Sequence, residues 1–199
     1  MLESGYRINN LIFAEGFESQ EACVQLSDLA KRNKTRVLFM SGGDEITYGD
    51  TRIEVLSPEP RENPSDGTLP HSGQSASGFD VNENSLVLRV RCGDFCGLFG
   101  GDIGAETERM LTAQYDLSDV NLYKCDHHGS KNSSDMSFLE EMNPALTFVS
   151  AGEKNRYNHP SPEAVERIMS VCDELYCTKE SGQLTLFAGE DAFRVVTKK

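Results

Sequence analysis

Short apolar runs that each lead into a polar, motif-bearing segment constrain this chain more than any other feature. The three pairs are 96–99 before Gly100-Gly101-Asp102, 120–123 before Asp126-His127-His128-Gly129, and 145–149 before a loop that ends in His159. Three of the four histidines lie in the last two of these segments. Because side chains that follow successive strands meet at one edge of a sheet, the pattern predicts a shared site of carboxylate and imidazole groups. Such groups suit zinc or manganese far better than calcium.

The rest of the chain alternates between strand and helix patterns, which predicts a layered α/β (α+β) domain. The predicted strands are 8–14, 36–40, 46–48, 51–56, 84–90, 95–99, 120–125, 145–150, 175–178, 183–188 and 192–196. The predicted helices are 18–33, 104–115, 134–142 and 162–171. Residues 57–79 are rich in Pro, Gly and Ser and are predicted to form a long flexible loop. We expect a single domain over 1–199.

Composition limits the partners and the environment. The formal net charge of -13 argues against a general basic surface for nucleic acid, so a phosphate would need metal ions or local cations such as Lys131, Lys154 and Arg156. The six cysteines form no CxxC pair and are interpreted as small buried thiols in a reducing environment. The chain has no membrane-spanning apolar run and no signal peptide, which favours a soluble, cytoplasmic location.

Asp102 has two interpretations from its position between a strand and a helix. Its carboxylate could bridge two metal ions, or it could cap the helix that follows. Within that helix, Glu106 and Glu108 are predicted to interact favourably with the N-terminal dipole.

Adjacent histidines at a strand end point in opposite directions, so one of His127 and His128 is predicted to ligate a metal while the other orients or contacts the substrate. Ser130 and Lys131 could donate to a phosphate oxygen. The alternatives are a polar turn without ligands and a solvated lysine.

The loop before His159 carries several groups suited to a substrate. Arg156 could clamp a phosphate with two hydrogen bonds, while Asn155 and Tyr157 could hydrogen-bond the substrate. The alternative is a loop that only starts the next helix. Earlier in the chain, Asn82 and Ser85 either hydrogen-bond within the site or simply end the preceding loop.

Taken in order, these motifs resemble a known family. They are Asn82-x-x-Ser85, Gly101-Asp102-Ile103 with Glu108, Asp126-His127-His128-Gly129-Ser130-Lys131-x-Ser133, and Asn155-x-Tyr157-x-His159-Pro160. The set resembles the metallo-β-lactamase-fold domain of the bacterial competence protein ComEC and extends over about 11–187. The resemblance implies an αββα sandwich with one or two Zn or Mn ions at one edge. It also implies hydrolysis of DNA or another phosphodiester during DNA uptake, beside the membrane-channel region of a longer parent protein.

The chain departs from that family in its first part. No HxHxDH or HxDxDH motif occurs, and no histidine precedes His71. The resemblance therefore implies an N-terminally truncated domain in which Asp102 is the bridging carboxylate and His127 or His128 is the late ligand. His159 and the loop at 155–158 would contact the substrate or support the ligands.

With so few ligands, we expect weak or no catalysis, because a catalytic zinc site has about three protein ligands plus water. Two alternatives stay open from the sequence. The chain could be a non-catalytic relative that binds nucleic acid or a partner protein, or a hydrolase of small phosphoesters or lactones. As part of a ComEC-type parent, it would be membrane-associated or extracytoplasmic.

Overall fold

The structure is a computed structural model that describes residues 6–60, 74–75, 78–189 and 193–199. Its strands are β1 (Asn10–Ala14), β2 (Arg36–Met40), β3 (Glu45–Tyr48), β4 (Thr51–Ser57), β5 (Gln74–Ser75), β6 (Gly78–Phe79), β7 (Val87–Cys92), β8 (Phe95–Phe99), β9 (Leu122–Lys124), β10 (Leu146–Val149), β11 (Glu174–Cys177), β12 (Gln183–Ala188) and β13 (Phe193–Lys198). Its helices are α1 (Glu21–Arg32), α2 (Ala105–Gln114), α3 (Met136–Met142), α4 (Pro162–Met169) and α5 (Thr178–Ser181). A single helical turn, Asp126–Gly129, lies between β9 and α3.

Seven strands form one mixed sheet in the order β11-β10-β9-β8-β7-β4-β3. Strands β8 to β11 are parallel neighbours, and β3, β4, β7 and β8 pair antiparallel. Strands β1 and β2 form a separate parallel pair, while β12 and β13, like β5 and β6, form antiparallel pairs. This mixed sheet with its helices confirms the predicted fold class and is consistent with an α+β sandwich.

The core is built mainly from the large sheet and the helices α2 to α4. Leu98 and Tyr123 of the sheet and Phe138 and Ile168 of the helices are all 0% exposed. The rings of Tyr123 and Phe138 meet edge to face, with centroids 5.9 Å apart. This packing fixes β8, β9 and β10 side by side, so the three motif-bearing segments that follow them emerge at one edge of the sheet.

The largest shift in the start of a predicted strand is at β7. The strand expected at 84–90 is β7, which begins at Val87. The reason is a turn, because one carboxylate oxygen of Asp80 accepts hydrogen bonds from the N–H groups of Asn82 and Glu83. The strand expected at 175–178 ends at Cys177 because α5 begins with the next residue.

The predicted loop at 57–79 also differs in the parts that are described. Ser57 is the last residue of β4, and Gln74–Ser75 pairs with Gly78–Phe79 as two short strands. Residues 61–73, which include His71, and residues 76–77 lie outside the described ranges.

Two further properties bear on the sequence analysis. All six cysteines are free, and five are buried, as predicted for small apolar side chains; Cys92 is exposed. None of the helices in the described ranges is long and apolar enough to cross a membrane.

Candidate active site

Asp102 lies in the loop between β8 and α2, at the edge of the sheet where the strands end. Its N–H donates to Ser85 Oγ (3.2 Å), and its side chain is 43% exposed. Helix α2 begins after Gly104, whose N–H is bonded by Glu83 Oε1 (3.1 Å), while the other oxygen of Glu83 accepts from Thr107 Oγ1 (2.6 Å). Glu83 therefore caps this helix, and the Asp102 carboxylate is left facing the site.

The two histidines of the Asp126–Gly129 turn have unusual backbone conformations. His127 has φ 45° and His128 has φ 56°, both in the left-handed region, which costs about 1–2 kcal/mol per residue. The turn is held by hydrogen bonds from His127 N–H to Gly101 O (2.9 Å) and from Ser161 N–H to Gly129 O (2.8 Å). Strain that surrounding contacts maintain is typical of functional sites.

Gly129 joins the histidine turn to the loop that carries the last histidine. It has φ 79°, and a Cβ placed there would lie 2.6 Å from Pro160 Cβ. A larger residue would therefore push the two motifs apart. The sequence shows both motifs, but only the fold reveals that they are in direct contact.

Of the three predicted metal ligands, His128 and Asp102 are in contact. Nδ1 of His128 lies 2.7 Å from the carbonyl oxygen of Ser150, and a carbonyl can only accept, so Nδ1 carries a proton. Nε2 then faces Asp102 Oδ1 at 3.4 Å. In the neutral ring, Nε2 carries a lone pair that points at a carboxylate oxygen. This arrangement is unfavourable unless a proton or a metal cation lies between the two atoms.

The rings of His127 and His159 lie edge to face, with centroids 6.0 Å apart. Burial lowers the pKa of His159, and the neighbouring His127 and His128 lower it further, while Asp102 opposes them. Nδ1 of His159 is buried and has no hydrogen-bond partner in the described part of the chain. His159 is therefore favoured as a neutral imidazole within the same group.

The loop at 155–159 is organised by Asn155. Its amide donates to Gly152 O (2.9 Å) and His159 O (2.9 Å), and its oxygen accepts from the His159 N–H (2.7 Å). Since both ends of this amide bind the loop backbone, Asn155 shapes the loop. Beside it is a hollow of about 350 Å³, lined by His128, Ser150, Ala151, Gly152, Asn155, Tyr157 and His159.

The remaining predicted residues lie around this centre. Ser130 is buried, and its Oγ accepts from the Asn132 N–H (3.3 Å). Lys131 is exposed on the same segment. Asn82 belongs to the turn before β7, where its carbonyl accepts from the Ser85 N–H (3.0 Å). The fold thus brings together six of the predicted residues: Asp102, His127, His128, Asn155, Tyr157 and His159. Ser85 bonds the Asp102 N–H, and Asn82 bonds Ser85 in turn.

A buried pair of carboxyl groups under the histidine turn was not predicted. Asp126 and Glu108 are both 0% exposed. Burial raises the pKa of Asp126 well above its usual range, and the adjacent Glu108 raises it further. Asp126 also packs so closely on Gly100 that a Cβ there would lie 2.0 Å from its Oδ1.

Glu108 bonds to a helix other than its own. It lies in the first turn of α2, as predicted, yet its oxygens accept from the N–H groups of Ser134 and Asp135 (both 2.6 Å) at the start of α3. Burial raises the pKa of Glu108, and these two hydrogen bonds oppose the rise. Neither oxygen of the buried Asp126 carboxyl group has a hydrogen-bond partner within the described residues. We interpret Asp126 as the protonated member of the pair and Glu108 as the ionised member, whose two hydrogen bonds tie α2 to the start of α3.

A metal ion fits this site only in part. Two ligand atoms about 2.1 Å from a tetrahedral ion lie about 3.4 Å apart, which is the spacing of His128 Nε2 and Asp102 Oδ1. Among the described residues, however, no group of three or more His, Cys, Asp or Glu side chains is arranged to hold an ion. The site therefore provides two ligand atoms for an ion, His128 Nε2 and Asp102 Oδ1.

Comparison with known proteins gives several relatives, although no family model matches the chain. It is 24% identical over 179 residues to ComE operon protein 3 of Bacillus subtilis, covering 90% of this chain and 21% of that protein. It is 34% identical over 115 residues to competence protein ComA of Neisseria gonorrhoeae, covering 56% of this chain and 16% of that protein. It is 26% identical over 114 residues to recombination protein 2 of Haemophilus influenzae, covering 57% of this chain and 14% of that protein. The chain is thus related to ComEC-type competence proteins and spans about a fifth or less of their length.

Proposed function

We propose that this chain carries part of a metal-dependent phosphodiester hydrolase site of the ComEC type, in a metallo-β-lactamase-like domain that acts on DNA during its uptake. Two of the relatives are named as competence proteins or products of a competence operon, which supports the link to DNA uptake. In a longer parent protein, the proposed neighbour is a membrane-channel region.

The observation that carries the proposal is the contact between His128 and Asp102. A hydrogen bond to Ser150 O leaves Nε2 as the only ring nitrogen of His128 able to bind a cation, and it faces a carboxylate oxygen at 3.4 Å. We propose that Asp102 and His128 hold one Zn or Mn ion, with His127 as the neighbouring imidazole. When bound, such an ion lowers the pKa of a coordinated water and so supplies hydroxide.

The protein groups around this pair have separable roles. Ser150 O fixes the tautomer and the orientation of the His128 ring. His159, whose pKa is lowered, is suited to accept a proton from an attacking water or to bond a phosphate oxygen. Lys131, exposed on the segment after the histidine turn, provides positive charge for the phosphoryl oxygens.

We expect this chain to be a weak catalyst. Two protein donors leave an ion mostly solvated and loosely held, because catalytic zinc sites have about three protein ligands. The test is cleavage of bis(p-nitrophenyl) phosphate by the purified chain with added Mn²⁺ or Zn²⁺. We expect slow, metal-dependent turnover that Asp102→Asn and His128→Gln remove; turnover that survives either change would overturn the proposal.

One observation favours a second candidate function. The described residues contain no group of three metal donors, which is consistent with a non-catalytic relative that binds nucleic acid or a partner protein. Metal analysis by mass spectrometry separates the two possibilities. A chain purified without bound metal that also gives no turnover at saturating Mn²⁺ would support the non-catalytic role.

A further inference from the structure

Three planar side chains, those of Arg156, Tyr157 and His159, form a stacked ladder at the edge of the hollow beside His128. The rings of Tyr157 and His159 are stacked, with centroids 5.6 Å apart and planes inclined by 17°. The guanidinium carbon of Arg156 lies 4.5 Å from the Tyr157 ring centroid, and the same guanidinium donates to the Tyr157 hydroxyl. Neighbouring side chains therefore set the orientation of the Tyr157 ring.

This ladder is open to solvent, although aromatic rings usually contribute to a core. Tyr157 is 63% exposed, whereas Tyr123 and Phe138 are 0% exposed. Arg156 is also exposed, and Tyr157 lines the hollow together with His128 and His159. Planar side chains that are held in place and remain largely exposed form a surface on which another planar group can stack.

We propose that the Arg156–Tyr157–His159 ladder is a stacking platform for a nucleobase of single-stranded nucleic acid. The inference rests on the proposed function, because His128 lines the same hollow and the phosphate next to a bound base would lie near Asp102 and His128. Only an unpaired strand exposes the faces of its bases to a protein, and aromatic rings and guanidinium planes are the usual partners.

The charge of the chain favours stacking over a phosphate clamp. With a net charge of -13, the protein repels a polyanion, and its affinity for nucleic acid must come largely from contacts that do not depend on charge. The guanidinium of Arg156, which was predicted to clamp a phosphate, instead lies over the Tyr157 ring and bonds its hydroxyl. Arg156 therefore extends the planar surface while it keeps a positive charge near the strand.

The test compares a short single-stranded oligonucleotide with an abasic strand of equal length, which has the same phosphates and no bases. Binding is measured by fluorescence anisotropy in EDTA, so that metal chemistry plays no part. We expect the wild-type chain to prefer the base-containing strand by roughly tenfold, the effect of one stacked base. The ratio should stay constant as salt is raised, because both strands carry the same charge.

Substitutions of Tyr157 test whether its ring causes the preference for the base-containing strand. Tyr157→Phe should keep the preference, since the ring remains. Tyr157→Leu should abolish it, so that the two strands bind about equally. Tyr48→Leu is the matched control, because Tyr48 is 87% exposed on the distant β3–β4 hairpin and should leave the ratio unchanged. Circular dichroism checks that each variant is folded.

The inference is overturned if the wild-type chain binds both strands equally or binds neither, or if Tyr157→Leu keeps the preference. These outcomes do not decide the proposed hydrolase activity, which is measured separately with a base-free phosphodiester. Conversely, loss of turnover in Asp102→Asn leaves the metal-free base preference as a separate result.

Discussion

Two regions of this chain use similar strand–helix–strand patterns but reach different degrees of burial. The large sheet packs against α2 to α4 around residues such as Tyr123 and Phe138, which are 0% exposed. In the β1–α1–β2 unit, by contrast, Val24, Leu26 and Phe39 are 46%, 42% and 37% exposed. Within the described ranges, β1 and β2 pair only with each other. Parallel sheets are usually covered on both faces, so this unit is the less stable region.

The comparison also explains where the site lies. All three motif-bearing segments follow neighbouring parallel strands of the well-packed sheet, β8, β9 and β10. None of the groups that converge at Asp102 and His128 comes from the β1–α1–β2 unit. The geometry of the site is therefore expected to depend on the large sheet and hardly at all on the first unit.

The largest expected effect tests the difference in burial directly. Phe138→Ala removes a ring that is 0% exposed and packs on Tyr123, and it should lower the free energy of unfolding by about 3–5 kcal/mol. Phe39→Ala removes a ring that is 37% exposed and stacked on Phe13, and it should cost about 1 kcal/mol. Urea unfolding followed by circular dichroism measures both, and equal losses would remove the basis for the comparison.

The next effect concerns the buried acid pair beneath the site. Glu108→Ala leaves the N–H groups of Ser134 and Asp135 without their carboxylate and should destabilise the chain by about 3 kcal/mol. Glu106→Ala, an exposed glutamate in the same helix turn, is the matched control and should change stability by less than about 0.5 kcal/mol. If the two variants unfold at the same urea concentration, Glu108 does not tie α2 to the start of α3.

A smaller effect depends on pH. Because the folded-state pKa of Asp126 is raised, its contribution to stability is fully present below the unfolded value of about 4 and is lost as pH rises through the folded value. Asp126→Asn cannot ionise, so the stability of the wild-type chain relative to this variant should fall as pH rises above about 4. Unfolding measured across that range checks the sign, and a relative stability that rises with pH would show that Asp126 is ionised in the folded chain.

Much of this arrangement could be predicted from local patterns. The bounds of β2, β8 and β12 agree with the predicted strands at 36–40, 95–99 and 183–188, because alternation and flanking turn residues are properties of short segments. The meeting of Asp102 with His128 was predictable for a related reason, since both follow neighbouring parallel strands.

The rest depends on contacts between distant segments. The left-handed turn at His127 and His128 is held by Gly101 O and by Ser161 N–H, which no local pattern indicates. Glu83 caps α2 from 21 residues away, and Glu108 bonds to backbone groups 26 and 27 residues further along the chain. Neither Glu83, which lies in the turn before β7, nor Glu108, in the first turn of α2, gives a local signal for its role. The one available hint was Asp126, a carboxyl group at the end of an apolar strand.

The central claim is that Asp102 and His128 share one cation, and metal titration tests it most directly. Isothermal titration of Mn²⁺ or Zn²⁺ should detect one weakly bound ion in the wild-type chain, with affinity reduced by more than about tenfold in Asp102→Asn and in His128→Gln. The double variant should bind no more weakly than either single variant, because the two side chains act on the same ion. Asp50→Asn, an equal change of charge on the β3–β4 turn, should bind as the wild-type chain does. Wild-type affinity in both single variants, or an equal loss in Asp50→Asn, would contradict the account.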